Sequence, residues 1–188
     1  ESFEKITVDG DTSPNDSSVL AASGKTALKI IKGTANERKI RKAIIEIYQE
    51  LAKQLIQDAE GATKEILINV SHAKNNEQAK SVAFTVAESP LVKTALFGND
   101  ANWGRILSAV GRSEGIDDVS KVTIDLNGTP LAKNGNIDPK HSESKASKAI
   151  KRKKLSINIK LGQGKKSYSV MTSDFSEDYL LINSDYRS

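Results

Sequence analysis

The longest periodic stretch of the chain predicts an amphipathic helix between residues 36 and 58. Its apolar side chains recur every three or four residues, the spacing of one helical face: Ile40, Ile44, Ile47, Leu51 and Leu55. Asn36 is a candidate cap at the start, and Gly61 ends the helix. The same periodicity predicts a second helix from 78 to 88, which Pro90 ends or restarts.

β-branched runs and alternating apolar and polar positions predict strands, most of them in the second half. These segments are 6–8, 64–71, 119–126, 155–161, 165–172 and 179–182. Asn127-Gly128 predicts a hairpin turn, and Gly162-Gln163-Gly164 predicts another between two consecutive strands. Because helices and strands are mixed and the late strands suggest antiparallel pairing, we predict an α+β fold with a boundary near residue 73.

Composition removes several kinds of chemistry. The 188 residues include no cysteine, which excludes disulfides, zinc-thiolate sites and thiol nucleophiles. No apolar run approaches the roughly 18 residues of a transmembrane helix, and residues 1–5 lack a signal-peptide pattern. The net charge of +4 is mild. The basic cluster at 151–154 has no interleaved aromatic residues, so a solvated helix end explains it better than a nucleic-acid site.

Familiar catalytic motifs are incomplete in this sequence. Gly24-Lys25-Thr26 lacks the earlier glycine of a phosphate-binding loop, since position 19 is Val. There is no Gly-x-Ser-x-Gly nucleophile elbow. The two histidines, His72 and His141, are far apart in sequence and lack helical ligand spacing, so we predict no metal site.

Four stretches in a fixed order are specific in combination. They are ITVDGDTS at 6–13, EGATK at 60–64, SPLVKTALFG through NWGR at 89–105, and INSDYRS at 182–188. In order and spacing they resemble the β chain of glutamate N-acetyltransferase (ornithine acetyltransferase), an enzyme of arginine biosynthesis. The resemblance runs from about residue 3 to the end and is weakest at 127–154.

The resemblance implies an acyltransferase made as one precursor that cuts itself before a threonine. That threonine becomes the nucleophile, takes acetyl from N-acetylornithine and passes it to glutamate by a ping-pong mechanism. No cofactor is expected, although some members use acetyl-CoA as an alternative donor. Residues 1–73 would complete an αββα-type, N-terminal-nucleophile-like catalytic sandwich. Residues 74–188 would form a smaller α+β domain whose last residues return to the active site.

Three substrate-binding residues carry over by resemblance: Glu60, Asn183 and Ser188. A carboxylate at Glu60 would meet an amino group of ornithine through a charge-assisted hydrogen bond. The amide of Asn183 supplies both donors and an acceptor. The structural alternatives are a solvated glutamate at a helix end, a turn asparagine and a frayed terminus. The family's nucleophile, oxyanion-hole pair and binding lysine match no residue here and are expected upstream, so we predict no catalytic residue in this chain and no activity from it alone.

The resemblance also implies partners and a location. The expected partner is the α chain of the same precursor, in a heterotetramer of two α and two β chains, with no nucleic acid and no membrane. The location would be cytoplasmic, or the mitochondrial matrix in a fungus. Two alternatives remain: a related N-terminal-nucleophile aminopeptidase or amidase, and a non-catalytic basic binding fragment.

Overall fold

The computed structural model describes residues 1–185 of the chain, and these residues contain one mixed sheet. Its six strands are β1 Glu65–Ala73, β2 Thr123–Leu126, β3 Thr129–Lys133, β4 Asn136–Ile137, β5 Lys154–Lys160 and β6 Lys166–Ser173. The strand order is β4-β3-β2-β5-β1-β6. Strand β1 is parallel to β5 and antiparallel to β6, and the other neighbours are antiparallel.

Helices of the described residues accompany this sheet, which confirms the α+β prediction. They are α1 Ala35–Gln57, α2 Asn76–Ala87, α3 Pro90–Phe97, α4 Trp103–Gly111, α5 Glu143–Ile150 and α6 Glu177–Asp185. The two helices predicted from periodicity are α1 and α2. Thr34, not Asn36, caps α1, because its Oγ1 accepts a hydrogen bond from the backbone N–H of Glu37 at 3.3 Å.

The main core lies between the sheet and helices α2, α3 and α4. On β1, Ile66, Ile68 and Val70 are fully buried and alternate with half-buried residues, because successive side chains of a strand point to opposite faces. The helices contribute small and branched apolar side chains to the same cluster: Ala79, Val82, Ala83, Val86, Val92, Leu96, Ile106 and Val110. Close packing of these residues fixes the distance between α2 and the sheet.

The other face of the sheet carries a row of polar side chains. Asn158 donates to Asp125 at 2.8 Å, Asn69 donates to Asn158 at 3.0 Å, and Ser169 donates to Asn69 at 2.8 Å. These four residues lie on β2, β5, β1 and β6, which are adjacent strands. The row therefore links four strands in register on the face away from the main core.

Helix α1 leaves most of its predicted apolar face in solvent. Ala52 and Ile56 are its buried residues, whereas Ile47, Leu51 and Leu55 are 43–59 % exposed. The spacing gave the helix correctly, but the residues expected to share its buried face are only partly covered.

Two turns were predicted, and the structure confirms one. Asn127 and Gly128 connect β2 to β3 in an antiparallel hairpin, and both have the positive φ that such a tight turn requires. The hairpin expected at 162–164 is wrong. Strands β5 and β6 follow each other in sequence, but β1 lies between them and pairs with both. Alternation identifies a strand but carries no information about its neighbours.

Two predicted strands are also wrong. Residues 6–8 form no strand and contribute only one bridge, between Ile6 and Met171. Residues 179–182 belong to helix α6. The overlooked signal is Ser176, whose Oγ accepts from the backbone N–H of Tyr179 at 3.1 Å as a helix cap, before two acidic residues in the first turn.

The sheet draws strands from both sides of the boundary expected near residue 73. Strand β1 ends at that position and lies between β5 and β6, which come from the last third of the chain. Residues 65–73 therefore share one sheet and one core with the C-terminal part.

Candidate functional site

The structure brings together two of the three residues expected to bind substrate. Asn183 Nδ2 donates to Glu60 Oε2 at 3.0 Å, although the two residues are 123 positions apart. Both side chains are exposed, one at the turn after α1 and the other on α6. The third residue, Ser188, lies outside the described residues. The contact makes a solvent-facing carboxylate and amide pair.

Gly61 lets the turn after Glu60 approach the start of α6. Its φ of +64° lies in the left-handed region that favours glycine. A Cβ at this position would overlap the backbone nitrogen of Tyr179 and the hydroxyl of Ser176. Ser176 Oγ donates to the carbonyl of Gly61 at 2.6 Å. The turn and the helix are therefore held in direct contact.

A buried carboxylate ties the next residues of this turn to the end of β6. Asp174 is 1 % exposed and accepts backbone hydrogen bonds from Thr63 at 2.8 Å and Lys64 at 2.9 Å, and a third from the hydroxyl of Thr63. Three donors offset the cost of burying the charge. Stretch 60–64 is thus fixed on the segment that leads into α6.

Lys64 joins the same turn to two helix ends. Its ammonium donates to the carbonyl of Ile150 and to Oδ1 of Asn99, both at 2.9 Å, and to the carbonyl of Leu96. Burial lowers the pKa of Lys64, and the nearby carboxylate of Asp174 acts in the opposite direction. A cation near the last carbonyls of α3 and α5 also suits the helix dipoles.

Tyr179 brings stretch 6–13 to the site. Its hydroxyl donates to Asp9 Oδ2 at 2.8 Å, and its ring stacks on Phe175 with centroids 4.5 Å apart. Burial, the hydrogen bond to Asp9 and the charges of Asp9, Asp11 and Glu60 raise its pKa to about 12. The same three carboxylates lie close enough to act on Tyr179, and a carboxylate can accept charge-assisted hydrogen bonds from an amino group.

Sequence reasoning missed the residues that hold this site together. Lys93, Asp174 and Ser176 are all at most 4 % exposed, and none was a candidate. Two signals were available. Lys93 lies inside the apolar run of α3, where a charged residue is unusual, and Ser176 precedes two acidic residues, as a helix cap does. Asp174 gave no signal, because a lone aspartate between elements is ordinary.

Other features singled out in the sequence lie apart from this contact. The cluster at 151–154 lies where α5 ends and β5 begins, and its side chains are exposed. His141 contacts the carbonyl of Pro130 and the carboxylate of Glu143. Within residues 1–185, no group of three His, Cys, Asp or Glu side chains could hold a metal ion. None of the helices described there is long and apolar enough to cross a bilayer.

Comparisons with known proteins agree on one family. The ArgJ family matches residues 1–188. The "Arginine biosynthesis bifunctional protein ArgJ" of Pseudomonas fluorescens is 41 % identical over 191 residues, and that of Methylococcus capsulatus is 43 % identical over 189. Both alignments cover all of this chain but only 47 % and 46 % of the relatives. The chain thus spans about half the length of the curated relatives it matches.

A solved structure extends the likeness to three dimensions. The crystal structure of arginine biosynthesis bifunctional protein argJ from Bacillus halodurans matches this chain with a TM-score of 0.90 and 35 % sequence identity. The match covers 99 % of this chain and 88 % of that one.

Proposed function

The chain belongs to the ArgJ family, and on that premise we propose that it is the β part of an acyltransferase of arginine biosynthesis. The enzyme would move acetyl from N-acetylornithine to glutamate. The remainder of the longer protein would supply the nucleophilic threonine and the oxyanion hole. This chain would supply one wall of the substrate pocket.

The proposed reaction has two acyl-transfer steps. The threonine hydroxyl attacks the acetyl carbonyl of N-acetylornithine, an ester bond forms, the amide C–N bond breaks, and the departing amine of ornithine takes the proton. The amine of glutamate then attacks the ester and regenerates the hydroxyl. Donors of the oxyanion hole stabilise each tetrahedral intermediate. Acetyl-CoA would enter the first step as an alternative donor.

The contact between Glu60 and Asn183 carries this proposal. A carboxylate has about four acceptor sites, so Glu60 can hold Asn183 and still accept hydrogen bonds from a substrate ammonium. The neighbouring charges of Asp9 and Asp11 reinforce attraction of a cation. Ser188, which lies outside the described residues, would add a hydroxyl to this set. The α part of the same precursor would be the partner, in a tetramer of two α and two β chains.

The test is a change in the complete two-part enzyme that keeps the shape of the Glu60 side chain and removes its charge. Glu60→Gln should lower kcat/KM for N-acetylornithine by about tenfold to a hundredfold, the usual range for a hydrogen bond to a charged group. Glu114→Gln, at an exposed glutamate on the connection between α4 and β2, is the matched control. Unchanged kinetics for Glu60→Gln would remove this residue from the substrate site.

The acceptor separates this proposal from its alternatives. Acetyl transfer to glutamate supports the acyltransferase, whereas release of the acyl group to water alone would indicate a related amidase or aminopeptidase. Salt-dependent binding to nucleic acid, without transfer, would indicate a basic binding fragment.

A further inference from the structure

A fully buried lysine contacts the segment that leads into α6 and has no part in the proposed chemistry. Lys93 of α3 has an exposed fraction of 0 %. Its amino group donates to Thr172 Oγ1 at 2.8 Å and to the carbonyl of Ser173, both at the end of β6. Burial lowers its pKa to about 7, although three carboxylates act in the opposite direction. Because burying an amino group is costly, an apolar residue would be the more stable choice for packing alone.

The amino group of Lys93 begins a column of contacts that reaches the surface. It lies 4.5 Å from the centroid of the Phe175 ring. That ring stacks on Tyr179 with centroids 4.5 Å apart and an interplanar angle of 14°. The hydroxyl of Tyr179 donates to Asp9 at 2.8 Å. The column therefore fixes both the segment entering α6 and the first turn of that helix.

Asn183 lies one helical turn beyond the last ring of this column. Its Nδ2 donates to the carbonyl of Tyr179 at 2.9 Å and to the carboxylate of Glu60 at 3.0 Å. Because a helix moves as a nearly rigid rod, a shift or rotation of its first turn displaces a side chain one turn later by a similar amount. The position of Asn183 opposite Glu60 thus depends on the column.

We propose that Lys93 is a positioning residue of the substrate site, which acts through Phe175 and Tyr179 on Asn183. This inference rests on the proposed function, since Asn183 matters to turnover only if it helps to bind substrate. It gives one physical task to three stretches that the sequence singled out, at 6–13, 89–105 and 182–188. They supply Asp9, Lys93 and Asn183, respectively.

The first experiment is Lys93→Met in the complete two-part enzyme. Methionine has a similar length and flexibility but no N–H to donate, so it fills the space and removes the contacts. We expect kcat/KM for acetyl transfer to fall about tenfold, with KM for N-acetylornithine rising more than kcat falls, since substrate positioning is affected rather than the nucleophile. Lys80→Met is the matched control, because Lys80 also lies over a ring, that of Phe84, but is exposed.

A double-mutant cycle separates positioning from general support of the fold. If Lys93 acts through Asn183, the enzyme with both Lys93→Met and Asn183→Ala should be no less active than Asn183→Ala alone, within about twofold. If Lys93 only supports the fold, the two losses multiply, and that result would overturn the inference. Phe175→Leu removes the ring but keeps the amino group of Lys93, and its loss should likewise not add to that of Asn183→Ala. It replaces Lys93→Met if that variant does not fold.

The outcomes distinguish this inference from the function on which it rests. If Asn183→Ala lowers activity but Lys93→Met is fully active, only the role of Lys93 is overturned. Full activity of Phe175→Leu, where it replaces Lys93→Met, has the same meaning. Full activity of Asn183→Ala would overturn the part of Asn183 in the proposed substrate site, and the inference about Lys93 with it.

Discussion

At the residue scale, a few buried polar groups determine where the exposed pair lies. Asp174 receives three hydrogen bonds from Thr63 and Lys64, and Ser176 bridges Gly61 and Tyr179. Each of these groups would be costly to bury without its partners. Buried residues that do not face solvent themselves therefore hold in place the two segments that carry Glu60 and Asn183.

Gly61→Ala tests the close approach of the turn to α6. The added Cβ would be strained by the left-handed backbone and would overlap Tyr179 and Ser176. We therefore expect a loss of about 2–4 kcal/mol in the free energy of unfolding. Gly128→Ala is the matched control, since it also has a positive φ but nothing within 4 Å of its Cβ. Urea denaturation measures both, and equal losses would contradict the steric part of this account.

Lys93 makes stability depend on pH in a defined direction. Between about pH 7 and its ordinary value of 10.5, the unfolded chain keeps the proton on this lysine while the folded protein has lost it. The unfolded state then binds more protons, so the wild type gains stability relative to Lys93→Met as pH rises through this window.

Melting temperatures measured below and across that pH range check this prediction. As pH rises, the melting temperature of the wild type should increase relative to that of Lys93→Met. Lys80→Met controls for the loss of one lysine at an exposed position. The prediction is contradicted if Lys93→Met and Lys80→Met change the melting temperature relative to the wild type in the same way at every pH.

At the scale of elements, helix α6 is a short element that depends on its attachments. It buries none of its described residues, so its own packing contributes little to its stability. It is held by the cap at Ser176, by the ring of Tyr179 and by the contact of Asn183 with Glu60. Weakening one attachment should affect the proposed substrate site before it affects the core.

Ser176→Ala tests this dependence. It removes the cap of α6 and the donor to Gly61, so we expect a loss of about 1–2 kcal/mol in stability and a lower kcat/KM. Ser142→Ala is the matched control, because Ser142 caps α5. The control should lower stability without lowering kcat/KM, and equal effects of both variants on turnover would contradict the role given to α6.

At the scale of the whole molecule, several large apolar side chains of the described residues remain exposed to solvent. Ile47 and Leu55 on α1 are 59 % and 54 % exposed, and Leu180 and Leu181 on α6 are 65 % and 61 % exposed. Contiguous exposed apolar surface promotes association. We therefore expect the 188-residue chain to be a poor monomer by itself.

Light scattering during size-exclusion chromatography checks this expectation. The 188-residue chain should self-associate with rising concentration, and Ile47→Lys with Leu55→Lys should shift it toward the monomer. Ile137→Lys, at an exposed apolar residue on β4, is the control and should leave the mass distribution unchanged. An unchanged distribution for the double variant would show that α1 is not the surface responsible.

Much of the local structure was predictable from the sequence. Periodicity located α1, α2, β1 and β5 to within a few residues, because side chains that share a face must repeat at the pitch of the element. Asn127-Gly128 identified a hairpin, since few other residues tolerate its backbone. Four ordered stretches also indicated the family, which the comparisons confirmed.

The tertiary structure alone decided which distant residues meet. No pattern in the sequence indicates that β1 separates β5 from β6, or that Lys93 contacts Phe175, the ring that stacks on Tyr179 in the first turn of α6. Side-chain periodicity reports only whether a residue faces apolar surroundings, whereas strand neighbours and buried polar contacts depend on groups far along the chain. Resemblance selected Glu60 and Asn183 separately, and it was the packing of α6 against the turn at Gly61 that placed them 3.0 Å apart.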